Sequence, residues 1–302
     1  MSEEKITSFD QLISIVKNKE RKKLAIASAE GEEIIEAVKQ ATEEKIISAV
    51  LIGDQAKIER LCKKKSLDLN KVEIINVPDP NLTAKVAVET VKQGKAEMLM
   101  KGKVGTSTLL RAVLDKESGL RTGAFLSHVA VMEVATYPKL MLVTDGGMNI
   151  KPDIKQKADI LNNAVEVAKK LGVEKPKVAC LAAVELVNPD MQETVDAAGL
   201  VKMAERGDIK DMIIDGPIAF DVAINLEAAR MKGIVSPVAG DTDIFLVPDI
   251  ASGNIFVKSL IYLADAKVGG VVVGAGTPIV LLSRSDSAQT KLYSMALGAM
   301  IC

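Results

Sequence analysis

Short apolar runs alternate with longer segments of helical period along most of this chain, and that order limits the fold more than any single motif does. Phe9 to Lys19 is patterned as an amphipathic helix, Lys23 to Ala27 as a strand, Glu32 to Lys45 as a helix, and Ile46 to Gly53 as a strand closed by glycine. A charged helix near Ala56 to Lys64, a strand at Val72 to Val77, a break at Pro78 to Pro80, a helix from Leu82 to Gln93 and a strand at Met98 to Met100 continue the series. A second alternation runs from an expected strand at Lys139 to Val143 through helices starting at Ile154, Asp190 and Val222, with strands at Lys177 to Leu181, Met212 to Ile214 and Ile244 to Val247. Apolar strands separated by helices imply largely parallel sheets covered on both faces. The fold class is therefore α/β, with two α/β domains and an interdomain cleft.

A chain of 302 residues suits two domains. The division is expected between about Val131 and Pro138, where a helical segment leads into the second series of strands, giving 1–133 plus 285–302 as the first domain and 134–284 as the second, with the last helix rejoining the first. Loops at the carboxyl ends of the strands are then the expected ligand site.

Charge and composition exclude several functions. With 39 basic against 40 acidic residues, no overall field draws the chain to nucleic acid or to a membrane surface. Aromatic residues make up 3% and tryptophan is absent, so base-stacking platforms are not expected. The polar start Met1 to Lys5 has no apolar segment behind it and no later run is long enough to cross a bilayer, which points to the cytoplasm. Cys62, Cys180 and Cys302 lie far apart, fitting a reducing compartment and neither a disulfide framework nor a zinc site. His128 is the only histidine, so no imidazole cluster is available for a metal, and any catalytic triad would rest on this residue alone.

Several strand ends carry residues suited to chemistry. The run from Gly269 to Leu282 empties into Ser283-Arg284-Ser285-Asp286-Ser287 just before a helical pattern begins at Ala288. Hydroxyls, a guanidinium and a carboxylate beside the free N–H groups of a helix start form an anion site with an acid/base attached, or else a helix cap with a surface ion pair. Lys101-Gly102-Lys103-Val104-Gly105-Thr106-Ser107-Thr108 combines close backbone approach at glycine with two cations and a capping hydroxyl at Thr106 or Ser107. Its spacing is not that of a Walker loop. Ser127 and His128 close the segment that begins at Arg121, where the imidazole could donate to a carbonyl or thioester oxygen, or be held within a domain interface. The loops Thr144 to Asn149 and Asp215 to Asp221 bring Asp145 and Asp215 to strand ends as paired carboxylates or as plain Asp-Gly turns. Ser252, Gly253 and Asn254 offer donors at a further helix start.

The segments MKGKVGTSTLLRAVL, FLSHVAV, TDGGMNIKPD, DGPIAFDVAIN, PDIASGNIFVKSL and VLLSRSDSAQTK follow in order over nearly the whole chain. Together they resemble the phosphate acetyl/butyryltransferase family, and within it the phosphate butyryltransferase branch. The resemblance implies a fold like that of isocitrate and isopropylmalate dehydrogenases and an acyltransferase. Its reaction would reversibly convert a short-chain or branched acyl-CoA and inorganic phosphate to an acyl phosphate and CoA, without an acyl-enzyme. It implies a homo-oligomer that binds no permanent cofactor, uses coenzyme A as substrate and needs no metal. Carried over to this sequence, Arg284 would bind the phosphate and Ser283 the reacting carbonyl region. The acetyl branch carries its aspartate where this chain has Thr290, so Asp286 becomes the expected base. Lys101, Gly102, Lys103, Thr106, Ser127, His128, Asp215, Ser252, Gly253 and Asn254 are the expected substrate-binding residues. The competing readings are a phosphate acetyltransferase acting on acetyl-CoA, a non-catalytic domain sensing CoA or acyl phosphate, and a dehydrogenase using Asp215 and Asp221 for a metal.

Overall fold

The first alternation forms α1 (Phe9–Lys17), β1 (Lys22–Ala27), α2 (Glu32–Glu43), β2 (Ile47–Gly53), α3 (Gln55–Lys65), β3 (Val72–Asn76), α4 (Thr83–Lys92), β4 (Met98–Lys101) and α5 (Thr106–Val113). The second forms β5 (Ser127–Glu133), β6 (Met141–Thr144), α6 (Ile154–Lys170), β7 (Lys177–Leu181), α7 (Gln192–Arg206), β8 (Ile213–Ile218), α8 (Phe220–Ile224), α9 (Leu226–Met231), β9 (Ile244–Leu246) and α10 (Ile250–Leu263). Then come β10 (Lys267–Val273), β11 (Ile279–Val280) and α11 (Ala288–Ile301). This computed structural model describes residues 5–281 and 286–302.

Two compact units result, one of 9–124 with 269–302 and the other of 1–8 with 125–268. These bounds differ from the expected 133/134 and 284/285 because strand pairing groups residues that the chain separates. β5 pairs antiparallel with β6 and so shares its unit. Gly269 is closely approached: a Cβ there would lie 3.1 Å from Phe9 and from the backbone of Tyr293.

In the unit built on 9–124, the strands run in the order β3, β2, β1, β4, β11, β10, parallel except for β10 against β11. β1, β2 and β4 are buried over most of their length, as strands covered on both faces must be. α11 is buried continuously from Lys291 to Met300, which makes it a core helix with no amphipathic stripe. It packs on α1 and α2, and Tyr293 stacks on Phe9 with ring centroids 4.2 Å apart. Parallel pairing of β1 with β4 brings Ala27 beside Lys101, so the residues after both strands emerge at one edge.

The other unit orders its strands β5, β6, β9, β7, β8, all parallel except β5. Its core gathers Met132, Val143, Ala179, Ile218, Val222 and Phe245. Lys5 joins it through Asp243 at 3.2 Å, and Lys139 meets the same carboxylate at 2.8 Å. The antiparallel register Ala130 to Val143 has a direct consequence: the first residues of β5 lie at the carboxyl end of β6. The helical segment expected from Val131 is absent: Val131 to Glu133 belong to strand β5, whose antiparallel direction delivers His128 to the loop after Thr144.

Candidate active site

Asp145 anchors the cluster at the carboxyl end of β6. Its carboxylate is 2% exposed and accepts four N–H bonds: from the backbone of His128 at 3.0 Å, Gly147 at 2.9 Å and Met148 at 2.8 Å, and from Asn149 Nδ2 at 2.6 Å. Four donors suit a buried carboxylate, whose desolvation is otherwise costly. Thr144 Oγ1 donates to the carbonyl oxygen of His128 at 2.9 Å. Asn149 Nδ2 also reaches Leu126 O at 2.9 Å, while Asn163 Nδ2 reaches Phe125 O at 2.7 Å and Ser127 Oγ at 2.8 Å. Ser127 is thus fully buried and engaged in holding its own segment, whereas His128 is half-buried.

The glycines of this loop are sites of close approach. A Cβ on Gly147 would sit 2.8 Å from Cγ and Nδ1 of His128, and one on Gly146 2.7 Å from the backbone of Gly253. The start of α10 is therefore seated on the loop, and Asn254 Nδ2 donates to Gly146 O at 3.3 Å. Ser252 completes a capping box with Asp249: its N–H donates to Asp249 Oδ1 at 2.8 Å, which holds the Asp249 carboxyl below the usual range. A cavity of about 460 Å³ opens at this edge, lined by Lys151, Asp153, Lys157, Asp196 and Asp249 among others.

Ser127, His128, Gly253 and Asn254 are thus brought together around the loop of Asp145. Asp215 is not. It lies on β8, with β9 and β7 between that strand and β6, and it accepts from the N–H of Gly216 at 2.8 Å. Asp145 and Asp215 do not form the pair of carboxylates that their loops suggested. Asp221 faces Lys232, at 2.9 Å, whose hydrogen bond lowers its pKa. Among the described residues, no three acidic, thiol or imidazole side chains form a group able to hold a metal ion.

A second cluster lies in the other unit. Gly102 N donates to Ala27 O and Lys103 N to Ser28 O, each at 2.8 Å, and a Cβ on Gly102 would be 2.1 Å from Ser28 O. Ser28, with φ of 56°, turns its buried hydroxyl to Thr83 Oγ1 at 2.6 Å. Neither Thr106 nor Ser107 caps the following helix: α5 begins at Thr106, and its N-cap is Gly105, with no side-chain bond. Its first N–H groups are left without a side-chain cap. Lys101 is half-buried with Nζ 3.4 Å from Gly102 O, and Lys103 and Thr106 are exposed. A cavity of about 450 Å³ is lined by Ser28, Glu30, Lys57, Asn81, Lys103 and Thr108, a size that suits part of a cofactor-sized ligand.

Ser283 and Arg284 lie outside the described residues. Asp286 precedes Ser287, the N-cap of α11, whose Oγ accepts from Thr290 N at 3.1 Å and lies 3.0 Å from Thr290 Oγ1. The ammonium of Lys291, on the first turn of that helix, donates to Asp286 O.

Sequence reasoning passed over Ser28, Asn149 and Asn163. Asn149 closed a loop already singled out, and Asn163 carried a signal as a poor helix former in the middle of a long helix.

Comparison with known proteins assigns the chain to a family. The family model described as phosphate acetyl/butaryl transferase matches residues 8–85 and 79–299. A phosphate butyryltransferase of Clostridium acetobutylicum is 49% identical over 296 residues, 98% of each chain. The crystal structure of a branched-chain phosphotransacylase from Enterococcus faecalis V583 superposes with a TM-score of 0.82 at 35% identity, over 92% of this chain and 98% of that one. A 4-hydroxythreonine-4-phosphate dehydrogenase from Burkholderia phymatum has a TM-score of 0.58 at 15% identity, over 94% of this chain and 99% of that one, a likeness of fold alone. The fold is the dehydrogenase-like one, and the chain belongs to the phosphate acetyl/butaryl transferase family of acyltransferase enzymes.

Proposed function

We propose that this protein is a phosphate acyltransferase that reversibly converts a short-chain or branched acyl-CoA and inorganic phosphate to an acyl phosphate and CoA. The likeness to a phosphate butyryltransferase over 98% of both chains carries this reading. A phosphate oxygen attacks the thioester carbonyl carbon, the C–S bond breaks, and CoA leaves as the thiol after taking a proton. In reverse, the thiol gives its proton to the base, sulfur attacks the acyl phosphate, and phosphate departs. Arg284 grips phosphate through its planar guanidinium, Ser283 bonds the carbonyl region, and Asp286 moves the thiol proton. His128, held at the Asp145 loop, donates to the carbonyl oxygen where charge develops, and Gly253 and Asn254 line the same cluster. Lys101, Lys103 and Thr106, beside the α5 start, receive phosphate groups of CoA. Positioning and charge stabilisation supply the rate, with no covalent acyl-enzyme.

CoA enters as substrate, and no cofactor is bound permanently. The enzyme works as a homo-oligomer in the cytoplasm; three cysteines in no disulfide support the reducing compartment, and among the described residues no helix is long and apolar enough to cross a membrane. Phosphate-dependent release of CoA from butyryl-CoA, compared with isobutyryl- and acetyl-CoA by kcat/KM, is the test. Butyryl- or isobutyryl-CoA should be preferred to acetyl-CoA, since each buried methylene is worth about 1–3 kcal/mol and a four-carbon acyl group carries two more carbons than acetyl. Higher kcat/KM for acetyl-CoA would reassign the substrate, and absence of release from all three would overturn the enzyme.

A further inference from the structure

We infer that Asp145 is a positioning residue for this reaction, acting through His128, which it fixes by the main chain. This rests on the reading of His128 as a donor to the reacting carbonyl. Where regular antiparallel pairing of β5 with β6 ends, side chains take over the backbone of His128: Asp145 Oδ2 accepts its N–H at 3.0 Å, and Thr144 Oγ1 donates to its carbonyl at 2.9 Å. The other oxygen of Asp145 binds Gly147 N and Met148 N, curling the loop back. That curl sets Gly147 against the imidazole, with no space for even one additional carbon. One buried carboxylate therefore controls both the backbone from which the ring projects and the surface on which it rests. All four partners of Asp145 among the described residues are neutral N–H groups. A carboxylate accepts from all four, whereas an amide in the same place turns an NH2 toward two of them.

A turn residue of the same shape would need only the bonds to Gly147 and Met148. The additional bonds to His128 N and to Asn149, which itself holds Leu126 O, tie the loop to the segment bearing the imidazole. Since misplacement of a reacting group by about 1 Å can cost about 10²-fold in rate, loosening this tie should act on turnover more than on substrate binding.

The test is a double-mutant cycle with a spectroscopic arm. Asp145→Asn should lower kcat by about 10²-fold while changing KM for phosphate and butyryl-CoA far less. In the His128→Gln background the same substitution should cost no more than about twofold, because it then has no imidazole to position. Thr144→Val, nearly isosteric, repeats the cycle from the carbonyl side if Asp145→Asn does not fold. His128 is the only histidine, so its imidazole NMR signals are unambiguous, and they should shift or broaden in both variants. Equal losses in both backgrounds, or unchanged imidazole signals in a slowed variant, would overturn the coupling while leaving the acyltransferase reading intact. Wild-type kinetics in His128→Gln would overturn it too by removing His128 from the reaction. Failure of the wild-type protein to release CoA would instead mark failure of the underlying function.

Discussion

The ammonium of Lys157 lies 2.7 Å from the carboxylate of Asp196, and the two side chains are only 6% and 10% exposed. Gln192 donates to the other oxygen of Asp196 at 2.8 Å. Removing one partner of such a pair leaves a buried charge. Asp196→Ala should cost about 3–5 kcal/mol of unfolding free energy, whereas the pair Lys157→Met with Asp196→Leu should come close to the wild-type value. Urea unfolding of the three proteins checks this, and a stable Asp196→Ala would show that water reaches Lys157.

Gly102 tests the other cluster. A methyl there meets a carbonyl oxygen of the neighbouring backbone at 2.1 Å, and that oxygen belongs to Ser28, which cannot rotate away. Gly102→Ala should lose about 1–3 kcal/mol and raise KM for butyryl-CoA through displacement of Lys101 and Lys103. Thermal melts and steady-state kinetics read the two effects separately, and an unchanged melt would contradict the close approach.

The cap of α10 should give a definite pH signature. The Asp249 carboxyl is held below its ordinary pKa chiefly by the N–H of Ser252, so its contribution to stability is present above the unfolded-state value and disappears as pH falls through the folded-state value. Asp249→Ala should cost about 1 kcal/mol at neutral pH, and the gap from wild type should close on acidification. A gap independent of pH would mean that the charge contributes nothing.

Thiol chemistry is also predictable from burial. Cys180 is buried and its thiol is pushed up to about 12, and burial also raises Cys62. Iodoacetamide at mildly alkaline pH should modify Cys302 in the folded protein and all three cysteines after denaturation, as counted by intact mass. Labelling of Cys180 without unfolding would contradict its burial.

Two substitutions address the proposed reacting groups directly. Arg284→Ala should raise KM for phosphate and slow turnover, and wild-type kinetics would remove Arg284 from the site. Asp286→Asn should lower kcat with little change in the melting temperature. An unaltered pH-rate profile in that variant would place the base elsewhere.

Period and strand-end chemistry make much of this protein legible in its sequence. Apolar runs bounded by glycine and proline read as buried strands, and their alternation with helices implied largely parallel pairing. The loops of Lys101 to Lys103, Thr144 to Asn149 and Ser252 to Asn254 stood out because each sets charged or polar side chains beside glycine at the end of an apolar run or at a helix start. Direction and neighbourhood were not written there. β5 runs antiparallel to β6, which carries His128 to Asp145, and β8 is separated from β6 by two strands, which leaves Asp215 apart. Both outcomes depend on which edge of a sheet a strand joins, and that is decided by packing among residues far apart in the chain. The inward use of Ser127, Asn149 and Asn163 has the same origin: a polar side chain reveals its hydrogen-bonding capacity in the sequence, but only tertiary contacts determine whether backbone or ligand satisfies it.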